Sequence, residues 1–133
     1  MNGFLLDTNA FLFVISRSDR VAADRMAALL DQPRRVSQVC AIEVAVKQGI
    51  GKLRLPPPFE TDFGYAFTQM AGRLGAEVID IDLRHIAAMA RLPLVHRDPF
   101  DRLIIAQALT ENLTVITRDR TFLDYAGLKV LRI

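Results

Sequence analysis

The sequence predicts an α/β domain on a central parallel sheet of four to five strands flanked by helices, and three observations support that class. Short apolar runs of β type alternate with segments of helical apolar spacing, the signature of strand–helix–strand units. A length of 133 residues with 51% hydrophobic and 24% charged residues suits one compact domain with a real core. Four acids, Asp7, Glu43, Asp101 and Asp119, each fall just after an apolar run or in the first turns of the following helix.

Phe4 to Leu6 reads as the first strand, and the Asp7-Thr8-Asn9 break turns the chain into a helix carrying Ala10 to Ile15. Ser18 or Asp19 can cap a second helix with Val21, Ala22, Met26, Leu29 and Leu30 as its apolar positions, ending near Gln32-Pro33. Arg35 to Ser37 is a short second strand. The helix from Val39 to about Gly49 places Ile42, Ala45, Val46 and Ile50 on one face, and Gly49 and Gly51 end it. Pro56, Pro57 and Pro58 lack N–H donors and stop any helix, so Lys52 to Phe59 is expected as a surface arm.

Phe63, Phe67, Met70, Ala71 and Leu74 recur at helical spacing before Gly75, and Ala76 to Ile81 is the third strand. Asp82 is expected to cap a helix over Leu83 to Arg91. Asp98-Pro99 starts the next helix, because Asp is favoured at the cap and Pro in the first turn. It runs to about Asn112. Leu113 to Thr117 is the fourth strand and Lys129 to Ile133 a fifth.

A formal net charge of +2 neither requires nor excludes nucleic acid. Cys40 is the single cysteine, which excludes an intramolecular disulfide framework. There is no tract of about 18 apolar residues to cross a bilayer. The first residues carry neither the basic nor the long apolar segment of a secretory signal, so a soluble cytoplasmic protein is expected.

The chemistry follows from placement. In open parallel sheets ligands bind beyond the carboxyl ends of the strands, where strand order reverses. Asp7 follows the first strand directly, Asp119 follows the fourth by two residues, and Glu43 and Asp101 sit early in their helices. Carboxylates a few Å apart resist joint ionisation, so four together imply a bound cation or shared protons. Oxygen-only ligation suits Mg²⁺ or Mn²⁺. Zinc is disfavoured, because His85, His96 and Cys40 form no recognisable ligand spacing. A divalent ion with a bound phosphodiester can activate water and stabilise the leaving oxyanion, so the inferred reaction is phosphodiester hydrolysis.

These residues also carry a resemblance. Leu5-Leu6-Asp7-Thr8-Asn9, Ile42-Glu43-Val44-Ala45-Val46-Lys47 with Gly51-Lys52-Leu53, the run His96-Arg97-Asp98-Pro99-Phe100-Asp101-Arg102-Leu103-Ile104-Ile105-Ala106-Gln107-Ala108, and Val115-Ile116-Thr117-Arg118-Asp119 together resemble a PIN-domain ribonuclease of the VapC toxin type. The resemblance covers nearly the whole chain and implies a single PIN-like domain over residues 1–133. It implies that Asp7, Glu43, Asp101 and Asp119 are the catalytic, metal-binding quartet, with Asn9 and Thr117 helping to orient acids or metal waters. It further implies Mg²⁺ or Mn²⁺ as cofactor, RNA as substrate, a homodimer, and a cognate antitoxin whose C-terminal segment occupies the active-site groove.

Other acids have simpler roles. Asp98 is read as a helix cap rather than a metal contact. Asp80-Ile81-Asp82 resembles the nucleophile motif of haloacid-dehalogenase-type phosphatases, but Leu83-Arg84-His85 begins a helix that Asp82 can cap, and a receiver domain would need an acidic pair after the first strand. Glu43 has Lys47 four residues on, the spacing of an ordinary helical ion pair. Lys47, Lys52, Arg54, Arg97, Arg102, Arg118 and Arg120 lie near the acids in sequence, where some can hold RNA phosphates. Tyr65, Phe63 and Phe67 are expected in the core or a dimer contact rather than a base-stacking platform, and His96 and His85 in structural roles, with substrate contact the alternative for His96. Two classes of function stay open: a metal-dependent endoribonuclease, and a catalytically weak PIN-like module that binds RNA or a partner.

Overall fold

The computed structural model describes residues 2–133. Five parallel strands form one sheet: β1 (Phe4–Leu6), β2 (Arg34–Ser37), β3 (Ala76–Ile79), β4 (Thr114–Thr117) and β5 (Lys129–Arg132), in the order β3-β2-β1-β4-β5. The helices are α1 (Thr8–Ser16), α2 (Ala23–Leu30), α3 (Gln38–Gly49), α4 (Phe63–Arg73), α5 (Leu83–Arg91) and α6 (Pro99–Glu111). None is long and apolar enough to cross a membrane.

The sheet is built outward from β1. All three residues of that strand are buried, as expected where helices cover both faces of a parallel sheet. Leu6 is in register with Val36 on one side and Ile116 on the other. Leu5, Leu6, Phe11, Val36, Ile104, Ile105, Ile116 and Phe122 are fully enclosed, each contributing about 1.5–3 kcal/mol of burial. From β1 the chain winds one way to β2 and β3, then returns to place β4 and β5 on the other side. Strand order therefore reverses between β1 and β4, which opens a crevice at their carboxyl ends.

Several local expectations change. Ser18 and Asp19 do not cap α2. Ser18–Arg20 forms a 3-10 turn, and the helix starts after Ala22 without a side-chain cap. Within α2 only Leu29 is buried, and Leu30 turns to solvent.

The α3 face carrying Ile42, Val46 and Ile50 is 46%, 47% and 62% exposed, whereas Val39, Cys40, Glu43 and Val44 face inward. The sheet selects the inward face by where β2 delivers the helix, and an apolar stripe alone does not reveal that direction. β3 stops at Ile79 rather than Ile81, because the chain leaves the sheet to reach the cap of α5. A second 3-10 turn, Arg120–Asp124, follows β4 and buries Phe122.

Candidate active site at the carboxyl edge of the sheet

Each acid reaches the crevice by a local rule. Asp7 is the N-cap of α1: its Oδ1 accepts from the Ala10 N–H at 2.8 Å, which fixes the side chain beside the end of β1. Its own N–H donates to the Ile116 carbonyl at 3.0 Å, tying it to β4. Ser37 caps α3 by accepting from the Val39 N–H, and Glu43 follows on the buried face. Asp98 caps α6 by accepting from the N–H groups of Phe100 and Asp101, and Pro99 takes the first helical position. Asp101 therefore stands in the first turn at the sheet's carboxyl edge. Asp119 follows β4 and caps the 3-10 turn through the Thr121 N–H at 2.9 Å.

Thr117 links two of the four. Its hydroxyl donates to Asp7 Oδ2 at 2.5 Å and accepts from the Asp119 N–H at 3.0 Å. Asn9 is exposed and lines the same crevice as Asp7 and Asp119, and among the described residues no hydrogen bond joins it to an acid.

Electrostatics mark the group as short of positive charge. Burial pushes the Asp7 carboxyl up to about 6, with Asp119 and Glu43 adding to the rise against the lowering bonds from Thr117 and Ala10. Burial also pushes Asp101 up to about 7, helped by Asp98, Asp7 and Glu43, while His96 opposes the rise. Asp119 moves the other way, because bonds from Thr121 and His96 outweigh its burial. Glu43 pairs with Lys47 through Oε2 at 3.0 Å, and its Oε1 is buried without a partner. An orphaned carboxylate oxygen beside acids held partly protonated is the donor set that a hard divalent cation satisfies.

His96, for which the sequence favoured a structural role over a substrate contact, lies in this cluster. Its Nε2 lies 3.2 Å from Asp101 and 3.0 Å from Asp119. Nδ1 accepts from the Asp98 N–H at 3.3 Å, which leaves the proton on Nε2, pointing at both carboxylates. The ring meets Phe122 edge-on at 5.8 Å, and the His96 N–H donates to the Tyr125 hydroxyl. The only sequence signal for this placement is a histidine two residues before the Asp-Pro helix start.

Arg102 is removed from the candidate phosphate contacts. Its guanidinium donates to the carbonyls of Met89, Leu92, Pro93 and His96, pinning the loop that carries His96. Phe67 is buried and stacks on Phe63, while Tyr65 is exposed on the same helix.

The fold, the strand-order reversal and the ordered run of motifs coincide with a family model for the PIN domain, which matches residues 4–128. The chain belongs to the PIN domain family. Among solved structures, a chain of VapBC2 from Rickettsia felis bound to a DNA fragment from its promoter is 18% identical, with a TM-score of 0.71 over 98% of each chain. A chain of DNA-bound VapBC from Salmonella typhimurium is 20% identical with a TM-score of 0.70, covering 99% of this chain and 98% of that one. A chain of VapBC-5 from Mycobacterium tuberculosis is 21% identical with a TM-score of 0.64, each chain being covered in full. No curated protein sequence matches. At these identities the solved structures share the fold alone.

Proposed function

We propose that this PIN domain is a Mg²⁺- or Mn²⁺-dependent endoribonuclease acting in the cytoplasm as the toxin of a toxin–antitoxin pair. The observation that carries the reading is the meeting of Asp7, Glu43, Asp101 and Asp119 at the strand-order reversal, where no lysine or arginine pairs with Asp7, Asp101 or Asp119 among the described residues. The four would hold the ion, which when bound supplies an activated water and a Lewis acid for the phosphodiester oxygen.

The chain's own residues prepare that site. Thr117 and the Ala10 N–H fix both oxygens of Asp7, Asp98 sets the start of α6 and so the height of Asp101, and His96 holds a proton donor between Asp101 and Asp119. The fully buried floor of Leu6, Ile116 and Val36 excludes water from behind the acids.

The toxin reading is supported by the VapBC complexes among the structural neighbours, whose names are those of toxin–antitoxin assemblies. An antitoxin bound at the acids and a homodimer belong to the same proposal. The exposed apolar stripe of Ile42 and Val46 on α3, continued by Ile50 at its C-cap, supports a protein partner on that face.

The test is cleavage of single-stranded RNA by purified protein with Mg²⁺, with Mn²⁺ and with EDTA. Wild type is expected to cut only with metal, and Asp7→Asn and Asp101→Asn not at all while keeping wild-type circular dichroism. Undiminished cleavage by both folded variants would falsify the metal-site assignment.

A further inference from the structure

Beside the acids, and sharing Asp7 and Asp119 with them, lies an open cavity of about 390 Å³ whose other walls are Asn9, Phe13 and Arg118. We propose that it is a subsite for an RNA backbone phosphate flanking the cleaved bond, with Arg118 as its anion-binding group and Phe13 as the residue that holds Arg118 in place. The inference rests on the ribonuclease reading and deepens it.

The geometry begins with α1. Asn9 and Phe13 are four residues apart on that helix and so share one face, directly after the cap Asp7. Arg118 lies between Thr117 and Asp119 in the segment leaving β4, and its guanidinium carbon sits 3.8 Å above the centre of the Phe13 ring. That stacking removes much of the rotamer freedom of a long exposed side chain, so fewer degrees of freedom are lost when a ligand arrives.

Arg118 also has unspent donors. It stands next to Asp119 in sequence and shares a cavity with Asp7, yet among the described residues it makes no ion pair and no hydrogen bond to a carboxylate. An arginine whose flat face is covered by an aromatic ring and whose edge is open presents the planar fork that phosphate oxygens accept. Arg102, Arg84 and Arg34 show the contrast, since each donates to main-chain carbonyls or paired acids. The cavity falls within the range of about 300–1,000 Å³ usual for small-ligand sites. Its floor acids are those of the hydrolytic site, so a phosphate held by Arg118 belongs to a nucleotide continuous with the one being cut.

The experiment measures binding separately from cleavage. A fluorescein-labelled single-stranded RNA is titrated by anisotropy into Asp101→Asn protein at several KCl concentrations, with and without a second substitution, and the same RNA is used for cleavage by proteins with Asp101 intact. Arg118→Ala is expected to weaken binding roughly tenfold, the scale of one charge-assisted hydrogen bond, and to lower the slope of log affinity against log salt by about 0.7. Phe13→Leu keeps the charge but frees the arginine, so a loss of roughly threefold with unchanged slope is expected, within the range of a weak cation–π contact. In the cleavage assay Arg118→Ala is expected to raise KM more than it lowers kcat.

Equal affinity and slope for Arg118→Ala and its parent overturn the subsite, as does an equal fall in slope for Arg25→Ala, which removes a charge from the exposed face of α2. Absence of RNA binding by the parent overturns it too. Arg118-dependent binding without metal-dependent cleavage by wild type supports Arg118 as an RNA-phosphate contact but sinks the ribonuclease reading and with it the place beside a cleaved bond, so the two failures are distinguishable.

Discussion

Two acidic clusters in this molecule each contain a histidine within ligand distance of two carboxylates, and they are built to opposite ends. At the carboxyl edge, Nε2 of His96 and oxygens of Asp101 and Asp119 lie within 4.8 Å of one another, beside Asp7 and Glu43. Between α5 and α6, Asp82, His85 and Glu111 satisfy the same distance. The second group is closed by an arginine: Arg84 reaches Asp82 at 2.9 Å and Glu111 at 2.8 Å.

The arginine decides the difference. In the α5–α6 cluster the Arg84 bond holds Asp82 below the usual carboxylate range, and His85 and Arg84 do the same for Glu111. His85 completes a capping box, with Nδ1 accepting from the Asp82 N–H at 3.1 Å and Nε2 facing Glu111 at 3.0 Å. Every charge there has its partner, and the cluster ties two helices together. At the carboxyl edge burial raises Asp7 and Asp101 instead. Proximity of acids to a histidine is common to both; an unmet demand for positive charge distinguishes only the carboxyl-edge cluster, the candidate metal site.

The largest expected effect separates the clusters by activity. Asp101→Asn or Asp7→Asn is expected to reduce metal-dependent RNA cleavage by more than about a hundredfold, beyond what loss of an outer-shell partner costs, while Glu111→Gln stays within about twofold of wild type. A comparable loss for Glu111→Gln in the same gel assay would erase the distinction between the two clusters.

Stability is expected to divide the other way. Urea unfolding of His85→Ala should show a loss of about 2–3 kcal/mol, from a buried group whose hydrogen-bonding partners are left behind. Asp7→Asn without metal should be as stable as wild type or about 1–3 kcal/mol more stable at pH 7.5, since it removes a charge that burial disfavours. A metal-free Asp7→Asn protein less stable than His85→Ala would mean that the acid is structural.

The pH dependence carries opposite signs. Asp7 and Asp101 have native values of about 6 and about 7, above the ordinary 3.8, so the native state holds the extra protons. Their contribution to stability is complete below about pH 4 and is lost as pH rises through 6 to 7. Asp82 and Glu111 are shifted down, so theirs is present above the ordinary carboxylate range and is lost as pH falls. In EDTA, the melting temperature is expected to fall between pH 5 and pH 7.5. Mn²⁺ should restore it strongly at pH 7.5 and weakly at pH 5. A metal shift independent of pH, measured by differential scanning fluorimetry, would indicate binding elsewhere.

The smallest effect concerns Lys47, which among the described residues is the one lysine or arginine paired with the quartet. Lys47→Met removes an i,i+4 partner of Glu43 and should change stability by about 0.3–0.5 kcal/mol. A much larger loss in urea would show that Lys47 neutralises the site.

Much of the candidate site's placement was legible because caps and strand ends are local. Asp7 after Phe4–Leu6 and Asp98-Pro99 before α6 are readable from neighbouring residues alone, and the structure forms both caps. His96 was not legible in this way. Its approach to Asp119 spans 23 positions and depends on Arg102, Tyr125 and the Phe122 ring to hold the intervening loop. The exposure of the α3 stripe was not legible for a related reason: period identifies an apolar face, and only the neighbours of a helix decide whether that face is covered.

By itself the sequence determined the alternation of strands and helices and the placing of four acids at strand ends and first turns, because both follow from short-range spacing and capping. Tertiary structure alone decided which acids are left without a countercharge. Arg84 closes one cluster, while Arg118 turns from the other onto Phe13, and both choices depend on long-range packing that brings distant segments together.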